Sequence, residues 1–483
     1  MVKKLALAVF SIFFLCRVSP AAVNFDNLSS NTLKEESDAF AVPVPAPSAV
    51  ETPARPVKEW TVMLYSTTKD KLRYSLMAQL LEMKKIGSTG KVNALIEASV
   101  PVRHSDGSVS TSTIRMALGK AGDQQELDRL IADMGRFMDM DEPTEPIDES
   151  VLAPFAGDIV RMENSSDTGD WRKAADFTAW AKTNYPAKRY AFAIVGHGNG
   201  IMDYSKPATK GVLADAETWN YVSLPEMRLL MEKTGKTDIF IMNSCLMQMA
   251  EVAYQVKDHT DAVVGSSDYL WDVGYDFGGM LALLDAEPAI KSGDLGAWVA
   301  DSLIARIKAE KLPGGHASVL LTSKLPAFVK KLDAWVEAEL ALKDKPALAE
   351  GVKNAARFDT FNFIGNSPEI AREHAISGDL YDFVSLVTAA TPRGTPEQAL
   401  AREKGAELME FISDELIYKY SFTGPAPTGF DYARAHGLAI HIPPVKEISG
   451  FGLKTRFLKQ YLGLPFAKES GWGTFLSWYY ANN

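Results

Sequence analysis

The stretch Thr237-Asp238-Ile239-Phe240-Ile241-Met242-Asn243-Ser244-Cys245, continued by Leu246-Met247-Gln248-Met249-Ala250-Glu251-Val252, decides how this chain is read. Its first half is a short apolar run rich in β-branched and aromatic residues, the pattern of a buried strand. Leu246, Met249, Ala250 and Ala253 then recur at helical spacing. The order predicts strand, tight turn, helix, with Cys245 at the carboxyl end of the strand and the amino end of the helix. Ligands gather at the carboxyl ends of strands in open α/β sheets. A helix N-terminus stabilises negative charge and would favour the thiolate. A lone cysteine is more often buried and inert, so the assignment needs a second observation.

That observation is Arg189-Tyr190-Ala191-Phe192-Ala193-Ile194-Val195, a second strand-like run that ends in Gly196-His197-Gly198-Asn199-Gly200. A histidine between glycines sits where the backbone can approach a ligand closely. The interval from His197 to Cys245 accommodates one crossover between parallel neighbours. Two adjacent strands would then present an imidazole and a thiol side by side, the minimum for an activated thiol nucleophile.

The 483 residues allow two or more domains. A net charge of −10 argues against nucleic acid or an anionic membrane as the default partner. Lys3-Lys4, the apolar run Leu5 to Leu15 and Ser19-Pro20-Ala21 read as a signal peptide over residues 1–21, cleaved near Ala21. The chain is therefore expected to be exported to the periplasm, cell surface or medium. Cys16 lies within this segment, in surroundings that fit lipid anchoring poorly; its loss would leave Cys245 as the sole thiol. No later stretch is long and apolar enough for a transmembrane helix. Residues 22–57 carry Pro43, Pro45, Pro47, Pro53 and Pro56, the composition of an extended linker or propeptide.

A catalytic core is expected over 58–290. Trp60 to Tyr65, a helix bearing Leu72, Leu76, Leu80 and Met83, and Val92 to Ile96 form a β-α-β unit, which implies parallel pairing. A hairpin turning at Ser105-Asp106-Gly107 follows. The acidic stretch from Asp139 to Glu149 reads as a surface loop, without the ligand spacing of a calcium loop. Residues 291–483 read as mostly helical, interrupted by strands near 316–321 and 437–442. The remaining histidines, His441 among them, have no partners at metal-ligand spacing and read as surface or packing residues.

These motifs resemble the clostripain-like cysteine peptidases. The likeness is carried by Trp60 to Tyr65, Asp167-Thr168-Gly169-Asp170, Gly196-His197-Gly198-Asn199-Gly200, Asn243-Ser244-Cys245-Leu246-Met247, Asp379-Leu380-Tyr381-Asp382-Phe383 and Gly437 to Pro443. The resemblance implies an α/β, caspase-like fold with a mainly parallel sheet between helices. It implies a His197–Cys245 dyad acting on protein or peptide substrates, with the N–H groups of Gly198 and Cys245 holding the oxyanion. No residue orienting the histidine is assignable from sequence. Relatives cleave after Arg or Lys and often carry Asp two residues before the cysteine, where this chain has Asn243; Asp268 or Asp272 would then supply the charge. Relatives also self-cleave after the histidine loop, where Lys206 and Lys210 lie, and the Lys210-Gly211 bond is the expected site. Calcium dependence occurs among relatives, but the acidic residues here locate no metal site. The competing expectation, kept open by Asn243, is a caspase-like surface protein that binds without cleaving.

Overall fold

The computed structural model describes residues 55–138, 145–201, 211–358, 373–425, 431–447 and 452–483. The N-terminal segment expected to be a signal peptide (Cys16 included), nearly all of the Pro-rich stretch, Lys206, Lys210 and residues 139–144 of the acidic stretch lie outside the described residues.

The strands in chain order are β1 Lys58–Ser66, β2 Val92–Arg103, β3 Val109–Ala117, β4 Ile147–Asp148, β5 Ile159–Asn164, β6 Ala187–Val195, β7 Thr237–Asn243, β8 Thr260–Gly265, β9 Gly315–Leu321, β10 Arg357–Phe358, β11 Ser377–Asp379, β12 Ile417–Thr423 and β13 Ala439–His441. Ten of them form one sheet in the order β12-β9-β8-β7-β6-β1-β2-β3-β5, with β4 alongside β2. Its centre, β2-β1-β6-β7-β8, is parallel, and the outer pairings β2–β3, β3–β5, β8–β9 and β9–β12 are antiparallel. The remaining β10, β11 and β13 make a small antiparallel sheet.

Central parallel strands are covered on both faces, which is why their sequences are nearly continuous apolar runs. Trp60, Val62 and Leu64 of β1 pack on one face with Tyr74, Leu76 and Leu80 of the helix Leu72–Ile86. Met63 and Tyr65 pack on the other face with Phe177 of the helix Trp171–Asn184 and Leu230 of the helix Leu224–Thr234. The chain steps from β1 to β2 in one direction and from β6 through β7 to β8 in the other. Right-handed crossovers in opposite directions put their helices on opposite faces. The reversal falls between β1 and β6, and in such sheets ligands bind at the carboxyl ends of the strands that flank it.

Two sequence expectations change. No α-helix starts at Leu246: the helix is Ala250–Val256, and Cys245 lies in the loop before it. Leu246 has φ of +64°, and the Leu246 and Gln248 N–H groups donate to Asp268 and Ser266 carbonyls at 3.1 and 3.0 Å. The neighbouring loop thus claims the donors that a helical turn would have aimed at the thiol. The division near residue 290 also crosses the sheet, because β9 and β12 come from the expected helical half; residues Arg55–Asn483 form one compact unit.

Candidate active site

Three neighbouring strands, β1, β6 and β7, run directly into Asp70, His197 and Cys245. Their loops continue the ladder past the strand ends: Thr67 N–H donates to Val195 O at 3.2 Å and Gly196 N–H to Asn243 O at 3.4 Å. The last paired residues of β6 and β7 are Val195 and Asn243, so His197 and Cys245 stand two residues beyond one register position.

The glycines explain how closely these loops pack. A Cβ on Gly198 would lie 2.4 Å from Cys245 O and 2.9 Å from the Ser244 Cβ. Gly200, at φ +58°, leaves a Cβ no room beside Met249 Sδ and Leu246 O. Behind them, Leu213 N–H donates to His197 O at 3.0 Å and Asn199 N–H to Gly211 O at 2.9 Å. The histidine loop is therefore clamped between the cysteine loop and residues 211–213.

Cys245 is a partly exposed cysteine outside any disulfide, flanked by buried Ser244 and Leu246. The Leu270 N–H donates to its Sγ at 3.4 Å. The His197 side chain is 42% exposed, so a ligand reaches both groups. His197 Nε2 lies 2.5 Å from Asp70 Oδ2, and the other Asp70 oxygen accepts from Leu72 N–H at 3.0 Å. A carboxylate only accepts, so Nε2 carries the proton and Nδ1 is the nitrogen left for another partner. Burial pulls the imidazole's pKa down, but the hydrogen bond and charge of Asp70, then the charge of Asp272, outweigh it and raise the pKa above its ordinary value. Burial likewise pushes Asp70 up, and its bond to His197, the Leu72 N–H and the charge of Arg73 pull it below the ordinary carboxylate value. Each group stabilises the charged form of the other.

The three specificity candidates occupy different environments. Asn243 is buried; its amide nitrogen donates to Gln79 Oε1 at 3.3 Å and its oxygen accepts from Tyr275 N–H at 3.3 Å. Asp268 is also buried and accepts from the Tyr432 hydroxyl at 2.9 Å. Asp272 is exposed, its backbone carbonyl accepts from Ser75 Oγ, and its charge reaches His197. Among the described residues no group of three or more His, Cys, Asp or Glu side chains could hold a metal ion. No helix among the described residues is long and apolar enough to cross a membrane.

Sequence reasoning missed Asp70, Leu270 and the pair Lys69–Asp215. Lys69 Nζ and Asp215 Oδ2 meet at 2.7 Å with both side chains fully buried. The same Asp215 oxygen accepts from Thr168 N–H and Oγ1 at 2.9 and 2.7 Å. The one signal available for Asp70 was its place just past β1, once β1 is known to lie beside β6.

A partly exposed thiol and an imidazole backed by a carboxylate thus stand at neighbouring strand ends of a mainly parallel sheet. Comparison with other proteins gives the family: the clostripain family (peptidase C11) model matches residues 123–478, and the chain belongs to that family. Clostripain from Hathewaya histolytica is 27% identical over 128 residues, 23% of this chain and 24% of the relative. The chain thus matches about a quarter of the length of that curated relative. A secreted C11 cysteine protease from Bacteroides thetaiotaomicron, solved with an irreversible peptide inhibitor, superposes with a TM-score of 0.56 at 15% identity, covering 87% of this chain and 99% of that one. An inactive zymogen C11 protease from Parabacteroides distasonis gives 0.54 at 15% identity, over 86% of this chain and 99% of its own. At such identities the likeness concerns the fold, which these proteases share with this chain.

Proposed function

We propose that this protein is an exported cysteine endopeptidase in which His197 and Cys245 form the catalytic dyad. The observation that carries the reading is the pair of accessible side chains at the adjoining ends of β6 and β7, in a chain of the clostripain family. His197 Nδ1 takes the Cys245 proton, and the sulfur attacks the scissile carbonyl carbon. Charge develops on the carbonyl oxygen, and the N–H groups of Gly198 and Cys245 are the proposed donors to it. The imidazolium then protonates the leaving amine, and water hydrolyses the thioester by the reverse sequence.

Cleavage after Arg or Lys is proposed, with Asp272 as the selecting charge. The amide of Asn243 is engaged with Gln79 and Tyr275, and Asp268 is buried against Tyr432. Asp272 is the exposed carboxylate of the three candidates, and a carboxylate beside a cleft pairs with a cationic side chain. Self-cleavage of the Lys210-Gly211 bond is proposed on the same preference, since Gly211 leads directly into the segment that clamps the histidine loop. Export rests on the N-terminal sequence and on the secreted proteases that share the fold.

The test is a fluorogenic peptide series varied at the residue before the cut. Wild-type protein is expected to prefer Arg or Lys there, and Cys245→Ala to lose all cleavage while keeping its melting temperature. A Cys245→Ala protein that cleaves at the wild-type rate removes the dyad.

A further inference from the structure

We infer that Asp70 is a positioning residue for the proposed nucleophile pair: its carboxylate fixes the ring orientation and tautomer of His197, and the buried Lys69–Asp215 pair fixes Asp70. The inference deepens the peptidase reading and rests on it for its catalytic consequence, although its geometric content stands alone.

The carboxylate is held from two sides. One oxygen receives His197 Nε2 at 2.5 Å and the other receives Leu72 N–H at 3.0 Å, so the acceptor cannot swing away without losing both. The preceding residue is pinned as well: Lys69 Nζ reaches Asp215 Oδ2 at 2.7 Å, Glu217 Oε2 at 3.0 Å, Ser165 Oγ at 2.9 Å and Ser166 O at 2.9 Å. A buried lysine with that many acceptors is an anchor, because breaking it would leave a charge without water. Asp215 in turn belongs to the segment whose Leu213 N–H holds the His197 carbonyl. Residues 211–217 therefore fix the backbone of His197 and, through Lys69, the carboxylate that meets its ring.

The chemical consequence follows from hydrogen-bond capacity. With Nε2–H given to a carboxylate, Nδ1 has its lone pair free to accept a proton, and the imidazolium that results has a negative partner. The charged groups acting on the ring are Asp70 and Lys71 after β1, Asp272 after β8, and Arg73 through Asp70. Removing the Asp70 charge leaves Lys71 less opposed, so the ring holds its proton less tightly.

Two variants of the full chain separate the contributions. Asp70→Asn removes the charge and leaves one acceptor oxygen for two donors, so if that oxygen stays on Leu72 N–H the amide NH2 faces Nε2; Asp70→Ala removes both acceptors. In Asp70→Ala, kcat on the fluorogenic peptide is expected to fall at least about 100-fold with KM nearly unchanged, the scale of a lost proton-transfer arrangement. Asp70→Asn is expected to lose about as much, because an amide NH2 facing Nε2 favours the tautomer with Nδ1 protonated. In both, the limb of the pH–rate profile that follows His197 moves to lower pH. NMR titration of the His197 ring gives the same shift without any substrate, and Asp70→Asn supplies it if Asp70→Ala does not fold. An unmoved titration, or an Asp70→Ala enzyme with kcat within about twofold of wild type, overturns the assignment of Asp70. Persistent cleavage by Cys245→Ala would instead remove the dyad, and the titration would still decide on Asp70.

Discussion

His197 and His441 are the same side chain at the ends of two strands, and the fold uses them in opposite ways. His197 follows β6 into a loop, is 42% exposed, and meets a carboxylate that raises its pKa. His441 ends β13 with no exposure; burial lowers its pKa to about 3, and it gives Nδ1–H to Ile376 O at 2.6 Å while Nε2 accepts from the Tyr480 hydroxyl at 3.1 Å. Both ring nitrogens of His441 are spent on packing, whereas His197 gives one to Asp70 and leaves the other for the proposed proton transfer. The difference lies in the neighbours, since an imidazole changes charge near neutral pH only where a partner and solvent allow it.

The comparison is broken most directly by exchanging the effects of the two residues. His197→Ala is expected to lower kcat by roughly 1000-fold or more and to leave thermal stability nearly unchanged. His441→Ala is expected to cost roughly 2–4 kcal/mol in unfolding free energy, from the cavity and the unpaired Ile376 carbonyl and Tyr480 hydroxyl. Per folded molecule its activity stays at the wild-type level. Denaturant melts and single-turnover assays on both variants check the pair; a large catalytic loss in well-folded His441→Ala would erase the distinction.

Asp215→Ala sharpens the boundary between the two regions. It leaves the buried Lys69 with Glu217 as its remaining carboxylate partner, a change expected to cost at least about 2 kcal/mol, and it also loosens Asp70. Stability and kcat are therefore expected to fall together, in contrast to either histidine variant.

The buried region also has its own pH dependence. Glu251 lies on the helix after Cys245, and its Oε1 accepts from His441 N–H at 2.8 Å and the Tyr461 hydroxyl at 2.7 Å. Burial raises its pKa from 4.5 to about 7. The folded chain thus binds a proton more tightly than the unfolded one, so stability falls as pH rises from about 4.5 to about 7. The span sets an upper bound of roughly 3 kcal/mol. Burial also raises Asp379 to about 7, so Glu251→Gln is expected to flatten the decline only in part and to melt higher than wild type at pH 8. Thermal melts across that range check it; a Glu251→Gln curve parallel to wild type would contradict it.

The smallest effect concerns Asp272, which acts on His197 through charge alone. Asp272→Asn is expected to shift the His197 titration to lower pH, by less than Asp70→Asn does, because Asp272 is the weaker of the two influences. Its preference for Arg or Lys over neutral residues should weaken in the peptide series.

Much of this architecture was legible in the chain itself. Strands β1, β6, β7 and β8 are buried on both faces, so they appear as apolar runs bounded by turns. The glycines around His197 and the position of Cys245 marked the same sheet edge. What escaped depended on contacts distant in sequence. Asp70 meets His197 only because β1 pairs with β6, and no local pattern gives that order. Asp268 looked as available as Asp272 until Tyr432 covered it. The helical spacing of Leu246, Met249 and Ala250 was real, but residues 266–268 captured the donors and delayed the helix to Ala250.

The central claim is that His197 acts on Cys245. It is tested most directly by the rate at which a peptide bearing a thiol-reactive electrophile labels Cys245 in wild type and in His197→Ala. The account predicts labelling far faster than that of free cysteine in the wild type, falling to the free-cysteine rate in the variant. Equal rates in the two proteins would contradict it.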